Sequence, residues 1–532
     1  MIFSSLVFVF GFLPLALLGY ALMSRIGFRA GTLWLIFVSL VFYGFWAPYL
    51  IILISVSLLF NYALSVAIRA SSSSAAKQMA LLWLGIAANL AALIYYKYAF
   101  ALLAWAETFG VHLGAGHLAS VVLPLGISFF SFTQIGYLVD CKDGITKSNN
   151  FLDYLLFVTF FPHLIAGPIV HNSELMPQFA DRANRGLQAK NLAPALTLFV
   201  MGMAKKSLFA DPLSGKIALG FAQAGTIKLI PAWITALSYS FQLYFDFSGY
   251  SDMAVALALM FNVRFPANFN SPYKARSIIE FWQRWHMSLT RYLNQYLYNP
   301  IAMGARRARM ARGLPMTRKE MNRPAVFLPL VVWPTMATMT LAGIWHGAGM
   351  QFLVFGALHG FYLSINHAWR TYGPKAPTEP RSRLRRAGII AIQVGLTYLA
   401  VLIGQVFFRA ASVSQAWELL RGMVGLHGLT GADPAPALGD SWLSHLLAVL
   451  GLRDDDIRRC AKIVGFFAIA WFMPNTLQIM ASVKTVTNVE VKPASFGLLW
   501  QPSLPWAIAA SLLAFLCVMS LGGTTEFLYF QF

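Results

Sequence analysis

The chain has 532 residues, is 58% hydrophobic and only 11% charged, and carries a formal net charge of +20. Soluble domains hold about a quarter charged residues, so this composition excludes an ordinary soluble enzyme and defines an integral membrane protein. Most of its 40 basic residues fall between apolar runs and no recognition module accompanies them, which excludes nucleic acid as a partner.

A membrane span needs about 20 apolar residues. The first such stretch, Phe8 to Met23, has no basic residue before it and no small-residue cleavage site after it, while Arg25 and Arg29 follow. It reads as a retained helix with the N-terminus outside, not as a secretion signal. Further apolar runs cover 32–46 with 49–68, 79–105, 119–139, 151–170, 192–212, 229–262, 324–344, 350–367, 386–408, 461–481 and 504–521. The expected fold is all-α and polytopic, with about 11–13 spans and half-span helices around a central tunnel.

Polar groups inside these runs mark candidate function. "FFPHLIAGPIVH", Phe160 to His171, is a helix interrupted by Gly167 and Pro168. His163 there is either a tunnel residue or the hydrogen-bond partner of a carbonyl freed by the break. "YFDFSGYSDMA", Tyr244 to Ala254, sets Asp246 and Asp252 on either side of a Ser-Gly hinge. Both acids are candidates for the site or for ion pairs with Arg284 or Arg276.

"SIIE", Ser277 to Glu280, has capping-box spacing. The helix it starts is expected to carry "FWQRWHMSLTRYLNQYLYNP", Phe281 to Pro300. At 3.6 residues per turn Trp282, His286, Leu289 and Leu293 share one face, and Arg284, Ser288 and Arg291 share another. Such a helix is expected to line a cavity, with Trp282 and Trp285 in its wall and Arg284 either binding a donor phosphate or pairing with an intramembrane aspartate.

Seven basic residues between Arg306 and Arg323 face a single acid, Glu320, and a second basic cluster, Arg381 to Arg386, ends the linker 371–386. Both fit cytoplasmic loops, and both suit a rim that draws in a phosphate-bearing substrate. "LAGIWHGAGMQFLVFGALHGFYLSINHAW" places His346 between Trp345 and Gly347 in a very apolar stretch, where the glycines let backbone or ligand approach the ring. His346, His359 and His367 lie about 140 and 80 degrees apart around a helix, so they form no ligand pair and no metal is expected. The last distinct region, 428–460, is a Gly- and Pro-rich loop followed by a short interfacial helix. That helix is capped by Asp440 or Ser441 and bears Trp442, Leu443, Leu446, Leu447 and Leu450 on one face. Cys141, Cys460 and Cys517 are too scattered for a disulfide framework.

"PLGISFFSFTQIGYLVD", "FPHLIAGPIV", "YFDFSGYSDMA", "NFNSPYKARSIIEFWQRWHMSL", "YLYNP", "GIWHGAG", "GALHG", "VFFRA" and "PNTLQIM" occur in this order. In that order they resemble the membrane-bound O-acyltransferases, above all the bacterial branch that acetylates exported polysaccharides. The resemblance runs over essentially the whole chain, as one membrane domain 1–532 with a motif-bearing core at about 120–370. It implies a bacterial inner-membrane enzyme in which His346 is the catalytic base and His286 the second polar position. It also implies acetyl-CoA as the acyl donor, with no bound cofactor, and an exported polysaccharide as acceptor, reached directly or through a periplasmic acetylesterase-like partner. After "YLY" the family reads "IPLGGNR" where this chain has "NPIAMGARR", which makes 299–323 the expected acceptor-specific loop. D-alanyl or lipid acyl transfer on the same fold, and a transporter, are the alternatives; a transporter calls for internal repeats, and none is visible.

Overall fold

The computed structural model describes residues 1–107, 123–146, 148–374, 382–428, 454–494 and 497–521. Every regular element among them is helical, and the sole β feature is an isolated bridge between Phe265 and Val486. Six helical stretches are long and apolar enough to cross a membrane: Val7–Ile26, Leu50–Ala70, Ala75–Glu107, Ala189–Ala222, Pro324–His346 and Arg383–Arg409. Phe28–Gly44 and Leu504–Ser520 are shorter apolar helices. The chain is an all-helical, multi-pass membrane protein, as its composition demands: only a helix or a closed barrel satisfies every backbone group in lipid. It divides into two compact units, one made of 1–208, 247–268 and 476–532, the other of 209–246 and 269–475.

In the first unit, outward positions such as Ile52, Val56 and Leu59 are exposed and apolar, while the buried side of the same helix carries the polar Asn61 and Ser65 among leucines and isoleucines. Asn61 and Asn89 exchange side-chain hydrogen bonds at 2.8 and 3.3 Å, and Gln134 donates to Ser57 Oγ at 3.1 Å. Lipid supplies no hydrophobic drive between helices, so such pairs act as glue and fix helix register.

The run 151–170 is a pair of short helices, Phe151–Thr159 and Phe161–Leu164, that meet at Phe160. The break comes earlier than Gly167 and Pro168 suggest. Pro162 has no N–H, and the Phe161 N–H that would close the turn onto Phe157 donates to Ser39 Oγ at 3.1 Å instead. Nor is there a Ser-Gly hinge: the helix Leu229–Met260 runs unbroken through Gly249. Gly249 serves packing, since a Cβ there would lie 2.6 Å from the Gly202 carbonyl oxygen.

In the second unit, helices Trp333–His346 and Met350–Tyr372 form a tight hairpin. Gly343 and Gly356 sit back to back at their crossing. A Cβ on Gly343 would lie 2.3 Å from the Phe352 carbonyl oxygen, and one on Gly356 would lie 2.4 Å from that of Met339. Small residues let the two backbones touch, and this close crossing fixes the turn in which His346 sits. The stretch 299–323 is not simply a loop: Asn299–Ala311 is a helix that buries only Ala302, and Pro300 is well placed in its first turn. The short helix expected at 440–450 lies outside the described residues, as does 375–381 of the basic linker.

Candidate active site

The Ser277 cap forms as the sequence predicts, with the Glu280 side chain reaching one residue beyond it. Ser277 Oγ accepts the Glu280 N–H at 3.2 Å, and Glu280 Oε2 reaches back to the Arg276 N–H at 2.8 Å. The helix does not continue through the tryptophans, however. It spans Ile278–Trp282, stops, and restarts as Met287–Leu293 from His286, whose φ of 42° and ψ of 53° are left-handed. The predicted common face of Trp282 and His286 is therefore absent. An unbroken helix would bond the Trp282 carbonyl to the His286 N–H; here the Thr290 hydroxyl donates to that carbonyl at 3.0 Å. A left-handed non-glycine residue costs about 1–3 kcal/mol and persists only where its surroundings enforce it. Beyond Leu293 the helix is wound as π over Asn294–Tyr298, a form concentrated at functional sites.

This interruption turns His286 into the protein, where it is almost fully buried. His286 lies in the broken segment, outside the six spans. Burial first, and the neighbouring His346 second, hold it well below the ordinary histidine value. The two imidazoles are thus close enough for one to disfavour protonation of the other, although neither local helix joins them. His346 is the last residue of its helix, buried, with the rings of Trp345, Phe408 and Phe355 at 4.9, 5.1 and 6.2 Å. Gly347 after it is extended, a conformation open to any residue. Its need is for space, because a Cβ would meet the Phe352 ring at 2.1 Å.

Trp282 and Trp285 are both buried and part company at the break. Trp285 stacks on Phe281 and Tyr273 at 5.6 and 6.3 Å. Trp282 donates its indole N–H to His359 Nδ1 at 3.3 Å, which makes that nitrogen the acceptor and leaves the proton of the neutral ring on Nε2. Trp282 also lines a cavity of about 240 Å³ with Gln283, Thr290, Thr338, Met339 and His367. Neither His286 nor His346 is in that wall; the cavity has in common with the histidine segments Trp282 and the helix that ends at His346.

Arg284 pairs with Glu280 Oε1, one turn away, at 2.8 Å through Nη2 and 3.0 Å through Nε. The expected partnership with Asp246 or Asp252 does not form, since a carboxylate four residues away on the same turn is nearer than one on another helix. Asp246 is buried in the second unit. Asp252 belongs to the first unit, where Lys205 Nζ sits 2.6 Å from Oδ2 and the Thr476 hydroxyl donates to the same oxygen at 2.9 Å. His163 is also in the first unit. Its Nε2 donates to the Phe157 carbonyl at 2.9 Å, the group left open where the Phe161 N–H turned away. Both residues have local structural work in hand.

Two residues carry more than sequence reasoning assigned them. His359, which the sequence offers only as a discarded metal candidate and within the motif "GALHG", holds Trp282, and Gly404 backs so closely on it that a Cβ would lie 2.6 Å from Nε2. Lys205, in "MAKKSLF", is an ionisable group in an apolar run, which is itself the signal for a buried partner.

A description of the membrane-bound O-acyltransferase family matches residues 32–314, which include His286 and stop short of His346. The chain is 38% identical over 460 residues to the peptidoglycan O-acetyltransferase of Helicobacter pylori, with 81% of each chain covered. It is 34% identical over 498 residues to the probable alginate O-acetylase of Pseudomonas aeruginosa, covering 92% of this chain and 86% of that one. A teichoic acid D-alanyltransferase of Streptococcus thermophilus is 28% identical over 250 residues, 46% of this chain and 57% of its own. The protein therefore belongs to the membrane-bound O-acyltransferase family, and it is an O-acyltransferase.

Proposed function

We propose that this protein moves an acetyl group from a cytoplasmic thioester, acetyl-CoA, to a hydroxyl of an exported polysaccharide, with His346 as general base. The observation that carries this reading is that His286 and His346, from separate segments, are both buried and near enough for one to disfavour protonation of the other, with aromatic rings packed on His346. An alcohol is a poor nucleophile at neutral pH, so a positioned base must take its proton as the oxygen attacks. The alcohol oxygen bonds to the thioester carbonyl carbon and its proton passes to His346. The tetrahedral oxyanion then collapses, the C–S bond breaks, and the proton leaves with the thiolate as free thiol. No covalent enzyme intermediate is needed.

A neutral His286 is suited to donate a hydrogen bond to the oxyanion, since a group that carries no charge in the resting site has no ground-state ion to desolvate. Trp282 and its cavity, lined by both polar and apolar side chains, suit the thioester's extended amide-bearing arm, and the left-handed turn is the strain that aims His286. Arg284, already satisfied by Glu280, acts in this reading as a strut for the broken helix. The names of the two long relatives, peptidoglycan O-acetyltransferase and alginate O-acetylase, support acetyl as the group and a glycan as the acceptor. The D-alanyl relative matches about half of this chain and supports that reading less. We place the protein in the bacterial inner membrane with its N-terminus in the periplasm, the side on which the exported glycan accepts the acetyl group.

The test is made in the producing cell. A deletion strain loses O-acetyl esters from its secreted or wall glycan, the parental gene restores them, and His346→Ala at parental membrane levels does not. Restoration by that variant overturns the assignment of the base.

A further inference from the structure

A second cavity in the same unit, about 630 Å³, is formed where Arg276 to Glu280, the C-terminal half of helix Met350–Tyr372 and helix Arg383–Arg409 meet. Its lining is of two kinds. Arg276 and Arg370 supply two guanidinium groups, and the Arg370 Nη2 lies 3.5 Å from Ser277 Oγ, which keeps the two arginines at one mouth. Ile365, Trp369 and Leu396 supply a wall of large apolar side chains, each more than half exposed.

Among the described residues, no ion pair offsets the charge in this mouth. The one acid in the lining, Glu280, is bound to Arg284 and to the Arg276 backbone, and neither Arg276 nor Arg370 faces a carboxylate among the described residues. The Asn366 side-chain oxygen accepts the Ile279 N–H at 3.4 Å, which leaves its amide N–H groups as a further donor. The mouth also lies at a boundary. Arg370 closes one helix, Arg383, Arg385 and Arg386 open the next, and all are exposed, so this end of the pair stands in water or headgroups while the apolar wall runs toward the hydrocarbon.

We infer that this cavity binds one anionic phospholipid, its phosphate held by Arg276 and Arg370 and an acyl chain laid along Ile365, Trp369 and Leu396. A planar guanidinium matches a phosphate through paired N–H bonds. A water-soluble anion would satisfy the arginines but would leave the apolar wall without an occupant, so the wall selects the lipid as the source of the phosphate. The inference does not rest on the acetyl-transfer reading, because none of these residues is in the histidine site.

The experiment uses the full-length protein in detergent, titrated with phosphatidylglycerol or phosphatidylcholine of equal chain length, with retained lipid read by native mass spectrometry. Phosphatidylglycerol is expected to be retained one per protein in preference to phosphatidylcholine. Arg276→Gln with Arg370→Gln is expected to weaken that retention by roughly 30-fold, two basic contacts being removed. Ala400→Trp, which fills the apolar part without touching a charge, is expected to weaken it as well and decides the matter if the double variant fails to fold. Equal retention of both lipids, unchanged retention in the variants, or displacement of the lipid by inorganic phosphate or acetyl-CoA would each overturn the inference.

Discussion

Replacing Gly343 by Ala probes the joint that holds His346. The added Cβ would sit 2.3 Å from the Phe352 carbonyl oxygen and 2.7 Å from the Gly356 Cα, both backbone atoms that no side-chain rotation can move. Ordinary contact begins near 3.5 Å, so the two helices must part by about 1 Å. Overpacking of this kind costs about 1–3 kcal/mol. His346 lies one turn beyond the joint, and a reacting group displaced by about 1 Å loses on the order of 100-fold in rate. The variant is therefore expected to fold with a lower Tm and to lose nearly all acetyl transfer. Gly395→Ala is the control, since nothing lies within 4 Å of a Cβ there, and it should leave both quantities unchanged. Thermal unfolding of the purified protein and acetyl-ester content of the glycan are the two measurements. A Gly343→Ala protein as stable and active as the Gly395→Ala protein would refute the reasoning.

Other outcomes follow from single contacts. Lys205→Met leaves Asp252 as a half-buried carboxylate without its cation and should cost about 1–3 kcal/mol, while the double change with Asp252→Leu should recover part of it in a denaturation cycle. Trp282→Phe removes the donor to His359 Nδ1 and should cost about 1–3 kcal/mol, read as a fall in Tm. His286 is held below the ordinary histidine value in the folded protein, so below about pH 6.5 the unfolded chain binds a proton there that the folded chain does not. Stability from this group is complete above that pH and falls below it by up to about 1.4 kcal/mol per unit. His286→Gln should flatten that slope in Tm measured from pH 7.5 down to 5.

Much of the fold was legible because lipid makes it so: a run of apolar residues near 20 long has no stable form in a bilayer but a helix. The cap at Ser277 was legible for a similar reason, as an orphan N–H group requires that side chain. The breaks were not. At Phe160 the decisive atom is Ser39 Oγ, more than a hundred residues upstream, which takes an N–H the helix needed. At His286 it is the Thr290 hydroxyl, which replaces a backbone donor and lets the chain turn left-handed. A helical wheel assumes an unbroken helix and so gave Trp282 and His286 one face, when in fact the turn sends Trp282 to His359 and His286 toward His346. The aspartates failed for a related cause: intramembrane charge announced a partner, but Asp252 took Lys205, chosen by tertiary distance, and Arg284 took Glu280, whose i,i+4 spacing was legible and was passed over.

The account stands on His346 as the base, and the direct test is transfer of labelled acetyl from acetyl-CoA to a glycan acceptor by the purified protein in a lipid bilayer. His346→Ala and His346→Gln, both folded as judged by Tm, are predicted to bind the donor and transfer no label. Transfer by either variant at the parental rate would contradict it.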